Sequence, residues 1–278
     1  MATRDDDLCY MPATELAASF RRRALAPSEL MRAVLARIDR LEPRVNAFAA
    51  RTTDAALAEA AKADAAFLGS DPPPPLTGIP VTIKDLTMTK GIKTERGSNL
   101  MRGVVPEEDS PFVPRLRAAG AIVLGKTTTS EFGWKGVSQS PLTGITHNPW
   151  KHGSNAGASS AGAGAAAAAG FGPLHQGTDG AGSIRMPAHF CGVFGIKPSF
   201  GRIPNYPVST GDYTTHVGPL TRTVADAALM LGVMAGPHYL DHTAGEVWPG
   251  SYLAGLGEGI RGARIAFSPD LGHARVDP

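Results

Sequence analysis

From Gly153 to Gly170 the chain carries only Gly, Ala and Ser apart from Asn155, and no large side chain follows until Phe171. This stretch limits the fold more than any other, because residues this small let backbone approach backbone, or a ligand, very closely. A flexible linker is the simplest account of it. Linkers of Gly and Ser are polar and free of Ala runs, however, whereas Ala165 to Ala169 is a strong sequence for a buried helix. The segment from Gly153 to Gly182 therefore reads as packed structure.

Around it the chain changes texture once. The first seventy residues read as helices: one over about Thr14 to Leu25, and one from a Ser28 cap through Leu41, where Leu30, Val34, Ile38 and Leu41 recur at three- and four-residue steps and Pro43 stops it. A third spans Asp54 to Leu68, and the run Pro72-Pro73-Pro74-Pro75 closes the helical region. After the prolines, short apolar strands alternate with helices. Ile79 to Ile83 and Ala121 to Gly125 read as strands, and Phe112 to Ala119 as a helix with Gly120 as its stop. Further on, Cys191 to Ile196 reads as a strand, Val224 to Met234 as a helix and Ala263 to Phe267 as a strand. The alternation indicates an α/β sheet.

Charge and cysteine content exclude several classes. In 278 residues, 27 Lys and Arg stand against 25 Asp and Glu, too small and dispersed a surplus for a nucleic-acid partner. Cys9 and Cys191 are the only cysteines, so neither a disulfide framework nor a cysteine metal site is expected, and a reducing cytoplasm fits. Asp5-Asp6-Asp7 stands where a secretory signal would carry positive charge. The most apolar run, Gly162 to Gly172, is far shorter than the roughly 20 residues a membrane span needs. Neither a membrane nor nucleic acid is expected as a partner.

Three chemistries compete for the small-residue segment. Gly162 to Ala167 matches the dinucleotide pattern G-x-G-x-x-A, but the residues before it, Pro149 to Asn155, do not form the buried strand that pattern requires. Gly157-Ala158-Ser159-Ser160-Ala161 approaches a nucleophile elbow, with Ser159 as nucleophile and a histidine as base, and lacks the same strand. The third reading uses more of the chain. Gly78 to Asp85 ends an apolar strand with Lys84, and Gly177-Thr178-Asp179-Gly180-Ala181-Gly182-Ser183-Ile184-Arg185 sets a serine after a glycine-rich turn. With Ser159-Ser160 between them, 24 positions before Ser183, these segments resemble the amidase signature family of serine hydrolases. The likeness continues through Cys191 to Pro198 and Gly201-Arg202.

That resemblance implies a mixed β-sheet core sandwiched between α-helical layers, as one domain over 1–278, with N-terminal helices in 1–70 and an α/β catalytic core in 76–278. It also implies a Ser-Ser-Lys triad in which Ser183 is the nucleophile, Ser159 the bridging serine after a cis peptide bond, and Lys84 the base. The chemistry is coherent on its own terms. A serine hydroxyl attacks well only as its proton leaves, and a lysine can receive a proton only when neutral, which burial away from carboxylates favours. Asp85 is next to Lys84, but adjacent strand residues face opposite ways, so Asp85 is expected to pair elsewhere. The backbone N–H groups of Gly180, Ala181, Gly182 and Ser183 would form an oxyanion hole. Around them, Thr178 is expected to bond the bridging serine, Asp179 and Arg185 to pair and hold the loop, and Ser160 to support it. The eight histidines have no task in this scheme.

Two departures from the family pattern stand out. Ala158 and Ala161 occupy places where family members commonly have Gly, which would strain the loop if either position required a positive φ. Family members also normally continue beyond Pro278, so the fold is expected to be incomplete at its C-terminus. The activity implied is amide hydrolysis through a serine acyl-enzyme, with a small-molecule amide substrate, no metal or organic cofactor, and at most a second copy of the chain, as a homodimer, for a protein partner. The alternatives are the glutaminase-type component of an aspartyl/glutamyl-tRNA amidotransferase and, from another class, a catalytically inactive truncated remnant. Met186, where such glutaminase components usually carry Gln, favours the free-standing amidase.

Overall fold

The computed structural model describes residues 4–208 and 213–275. The small-residue segment does fold as packed structure. Ala161–Ala169 is a helix (α6) with all nine residues buried, the signature of a helix surrounded by protein on every side. It ends at Gly170, whose φ of 74° is the left-handed conformation that closes helices.

The helices before it are α1 (Arg4–Tyr10), α2 (Ala13–Arg21), α3 (Pro27–Val45), α4 (Thr53–Ala66) and α5 (Phe112–Ala118); α7 (Arg185–Cys191) and α8 (Val224–Met234) follow. Pro43 does not stop α3. It lies in the last turn, where a missing N–H costs one hydrogen bond, and the helix ends instead at Asn46, which is left-handed with φ of 55°. Glu42 fixes that end by accepting from the N–H groups of Ala47 and Phe48. Nor does Ser28 cap the other end: Ala26 holds the N-cap position, Pro27 opens the helix, and the Ser28 N–H donates to Asp64 at 2.9 Å.

The main sheet has six strands in the order β1 (Phe48–Arg51), β3 (Ile122–Thr127), β2 (Pro80–Lys84), β8 (Leu174–Asp179), β10 (His216–Thr221), β9 (Phe194–Gly195). The three central strands run parallel, and the others join antiparallel. The short strands β4 (Gln139–Ser140), β5 (Gly144–Ile145), β6 (His147–Asn148) and β7 (Lys151–Asn155) form two separate ribbons. The architecture is a mixed α/β fold. Leu220 of β10 packs with Ala163 of α6 and with Ile184 and Ala188 at α7, placing both helices on one face of the sheet. Among the described residues no helix is long and apolar enough to cross a membrane.

Two expected strands are corrected. Cys191 to Ile196 contains the end of α7, and only Phe194–Gly195 pairs with β10. The helix takes in Cys191 and closes at Gly192, whose φ of 66° is left-handed. Ala263 to Phe267 is exposed and forms no strand. Its apolar composition suits a strand, but among the described residues it pairs with no sheet edge.

The close packing of α6 gives a first prediction. A Cβ on Gly162 would lie 2.2 Å from the Ala47 carbonyl oxygen and 2.4 Å from the Thr128 nitrogen, both backbone atoms. Gly162→Ala should therefore lower stability by about 1–3 kcal/mol, read as a drop in the urea midpoint with an unchanged slope. An unchanged midpoint would mean that α6 packs less tightly than its neighbours indicate.

Candidate active site

Lys84 ends β2 and is fully buried, its backbone N–H fixed by the Gln176 side chain at 2.9 Å. Its Nζ lies 2.7 Å from Ser159 Oγ and 2.9 Å from Thr178 Oγ1. Burial pulls its pKa down to about 7, and the charge of Asp179 opposes that fall only in part. A lysine so placed is neutral in a large fraction of molecules near neutral pH.

The Ser159 loop enters through Gly157, whose φ is 77° and where a Cβ would lie 2.6 Å from the Pro187 backbone. The glycine requirement thus falls on Gly157. Ala158 and Ala161 both have ordinary negative φ and fit without strain. The peptide bond between Ala158 and Ser159 is cis. Ser160 fastens the loop to β8: its hydroxyl donates to the Thr178 carbonyl at 3.1 Å and accepts from the Thr178 N–H at 3.2 Å. The Ser160 N–H in turn donates to the Ser183 carbonyl at 3.1 Å, bringing the second serine segment alongside the first.

Asp179, at the end of β8, organises the turn that follows. Its carboxylate accepts from the N–H groups of Gly182, Ile184 and Arg185 and from Nε and Nη2 of Arg185, all between 2.7 and 3.2 Å. Burial disfavours the carboxylate, but the Arg185 guanidinium and the three N–H donors outweigh it and hold Asp179 well below the usual carboxylate range. The Gly182 N–H is therefore committed to Asp179, whereas those of Gly180, Ala181 and Ser183 have no partner among the described residues. Of the four expected oxyanion donors, three thus have no hydrogen-bond partner among the described residues.

The structure joins Lys84 to Ser159 and pairs Asp179 with Arg185. Thr178 Oγ1 meets Lys84 Nζ instead of the bridging serine expected to be its partner. The Ser183 hydroxyl has no hydrogen bond among the described residues, and the two serine segments are joined by the bond from the Ser160 N–H to the Ser183 carbonyl. Asp85 does point away from Lys84, accepting from the N–H groups of Glu95 at 3.0 Å and Gly97 at 3.2 Å. His175 is fully buried between Thr82 and the Gly172 carbonyl, and burial drives its pKa down to about 3. Sequence alone does not single out Gln176, because the Gly- and polar-rich run Leu174–Asp179 does not read as a strand.

The family model described as Amidase matches residues 29–278. The chain belongs to the amidase signature family. An acylamidase of Rhodococcus erythropolis is 42% identical over 99% of this chain and 58% of its own length. A component of the glutamyl-tRNA(Gln) amidotransferase of Anaeromyxobacter sp. (strain K) is 40% identical over 95% of this chain and 54% of its own length. Among solved structures, a bacterial aryl acylamidase of the amidase signature family superposes with a TM-score of 0.83 at 30% identity, over 91% of this chain and 53% of that one. The chain thus spans little more than half the length of these amidase relatives.

The Asp179 arrangement carries a second prediction. Asp179→Asn loses charge-assisted bonds to three N–H groups and to Arg185, each worth about 1.5–3 kcal/mol before water replaces some of them. Because its folded pKa lies below the unfolded one, the Asp179 contribution is complete above about pH 4 and fades as pH falls through the folded value. The variant should be clearly destabilised at pH 7, and its deficit should shrink toward pH 2. An equal deficit at both pH values would rule out ionised Asp179 as the anchor.

Proposed function

We propose that this chain carries the chemical machinery of an amidase that hydrolyses a carbon–nitrogen amide bond through an acyl-enzyme on Ser183. The observation that carries the reading is the 2.7 Å contact between the buried Lys84 Nζ and Ser159 Oγ. Lys84 is the base, Ser159 the relay and Ser183 the nucleophile. As Ser183 Oγ attacks the carbonyl carbon, its proton moves to Ser159 Oγ while the Ser159 proton moves to neutral Lys84 Nζ. The carbonyl oxygen, now an anion, is met by the N–H groups of Gly180, Ala181 and Ser183, each worth about 2.7–4 kcal/mol where such donors have been removed from other hydrolases.

Collapse of the tetrahedral intermediate breaks the carbon–nitrogen bond. The proton on Lys84 returns through Ser159 to the leaving nitrogen, which departs as an amine or ammonia. Water then attacks the Ser183 ester as its proton passes through Ser159 to Lys84, and that proton returns to Ser183 Oγ as the ester bond breaks, releasing the acid and restoring the serine. Thr178 holds the ammonium that forms on Lys84, and Ser160, Asp179 and Arg185 keep the two serine segments and the donor turn in place.

The acylamidase relative and the amidotransferase relative offer different substrates. Met186 favours the first. It lies between the oxyanion turn and the 131–137 loop, with its Cε 3.5 Å from where a Cβ on Gly136 would stand, and Phe132, Trp134 and Val137 of that loop are exposed. An apolar rim of this kind suits an aliphatic or aromatic amide better than the polar side chain of glutamine. Turnover of an N-acyl arylamide with little release of ammonia from glutamine supports the amidase reading. The opposite preference would transfer the chain to the glutaminase type, and failure of a fluorophosphonate to label Ser183 would mark it as catalytically inactive.

A further inference from the structure

Lys126 is fully buried, like Lys84, and the reaction scheme gives it no task. It stands on β3 opposite Ile83, one place before the pairing of Lys84 with Thr127, and so projects from the face opposite Lys84. Its ammonium donates to the Thr87 carbonyl, to Thr89 Oγ1 at 2.9 Å and to Thr94 Oγ1 at 2.8 Å. Asp85 works on the same loop from its other end, with its carboxylate on the N–H groups of Glu95 and Gly97 and its carbonyl accepting from the Arg96 N–H at 3.1 Å.

That loop then reaches the site. The Arg96 carbonyl accepts from the Phe132 N–H at 2.8 Å, and Ser98 Oγ donates to Glu131 Oε1 at 2.8 Å. The next residue, Gly133, lies so close to the relay serine that a Cβ there would stand 3.3 Å from Ser159 Oγ and 2.6 Å from Leu86 Cδ1. Hydrogen bonds and the backbone of residues 94–98 together therefore connect Lys126 and Asp85 to the turn that borders Ser159.

We propose that Asp85 and Lys126 are positioning residues, a buried pair of opposite charges that holds the 87–97 loop and, through it, the Glu131–Gly133 turn against Ser159. Each charge is held by its own hydrogen-bond partners and favoured through space by the opposite charge of the other. Burial pushes Asp85 up and Lys126 down, and the opposite charge of each partner works against both changes. The proposal rests on the reading of Ser159 as the relay.

Hydrogen–deuterium exchange and steady-state kinetics on Asp85→Asn and on the doubly neutral Asp85→Asn/Lys126→Met variant test it together. The expected result is at least tenfold faster exchange at the Phe132 N–H, unchanged protection of the β8–β10 ladder, and a kcat lower by about ten- to a hundredfold with KM within threefold, as misplacement of a reacting group produces. Unchanged exchange at Phe132, or equal loss of protection throughout the sheet, overturns the proposal. Asp85→Asn alone, nearly isosteric, supplies the same readings if the double variant does not fold. Failure of the wild-type chain to take a fluorophosphonate would count against the Ser159 relay, while the exchange result would still decide the clamp.

Discussion

Ser183→Ala is expected to lower kcat/KM on an amide substrate by about a millionfold, the scale of loss when a serine hydrolase is deprived of its nucleophile. What remains is the contribution of substrate binding and of the oxyanion donors, which do not depend on the Ser183 hydroxyl. The same variant should take no label from a fluorophosphonate, because the phosphorus atom needs the attacking oxygen. Stability should stay within about 0.5 kcal/mol of wild type, since the half-buried Ser183 hydroxyl makes no hydrogen bond among the described residues. Loss of activity without loss of stability separates a catalytic serine from a structural one. Ser159→Ala is the informative control. It removes a 2.7 Å partner of Lys84 and leaves Nζ with Thr178 alone, so activity should fall steeply while Ser183 stays available for slow labelling. Labelling that survives Ser183→Ala and disappears in Ser159→Ala would make Ser159 the nucleophile and return the segment to the elbow reading.

The sequence made the site legible because its chemistry lies in short segments of small or unusual residues. Lys84 at the end of an apolar strand, the paired serines after Gly157 and the glycine turn before Ser183 all stand out before any contact is known, as does the α6 helix in a run of alanines. The edges of elements were harder to read, for physical reasons. The end of α3 is set by Asn46 and by the Glu42 side chain reaching back to Ala47 and Phe48, so Pro43 lost its expected weight. β8 and β10 are hard to see in the sequence because their inner positions include Gly177 and Gly218, paired with each other so that α6 and α7 can approach, in place of the alternating apolar residues that announce a strand. Asp179 with Arg185 was legible because all its partners lie within six residues of it, whereas the placing of Gln176 and Lys126 depends on which strands become neighbours, and no local pattern in a sequence carries that information. The unpaired run at 263–267 is the reverse case, a segment with strand composition that meets no partner strand.

Lys84→Met should abolish turnover as completely as loss of the nucleophile, and its pH behaviour distinguishes a base from a merely buried lysine. With a pKa lowered to about 7 by burial, wild-type Lys84 is neutral above that value and charged below it. The kcat/KM of the wild type should therefore be flat in mild alkali and fall about tenfold for each pH unit below about 7. Stability should move the same way. The unfolded chain binds the lysine proton up to about pH 10.4 and the folded chain only up to about 7, so between these limits the unfolded state holds more protons and the folded state gains stability as pH rises, by up to about 1.4 kcal/mol per pH unit. Lys126, also lowered by burial, contributes with the same sign, and it is retained in the variant. The comparison is thus between slopes: from pH 7 to 9.5 the denaturant midpoint of the wild type should rise more steeply than that of Lys84→Met. At pH 7 the methionine avoids the cost of burying an ionisable group but leaves Ser159 and Thr178 without their partner, so the net change in stability should be small beside the loss of activity. Parallel slopes would mean that Lys84 keeps its proton in the folded state. A charged Lys84 cannot receive the proton of Ser159, and the attack by Ser183 would then require another base.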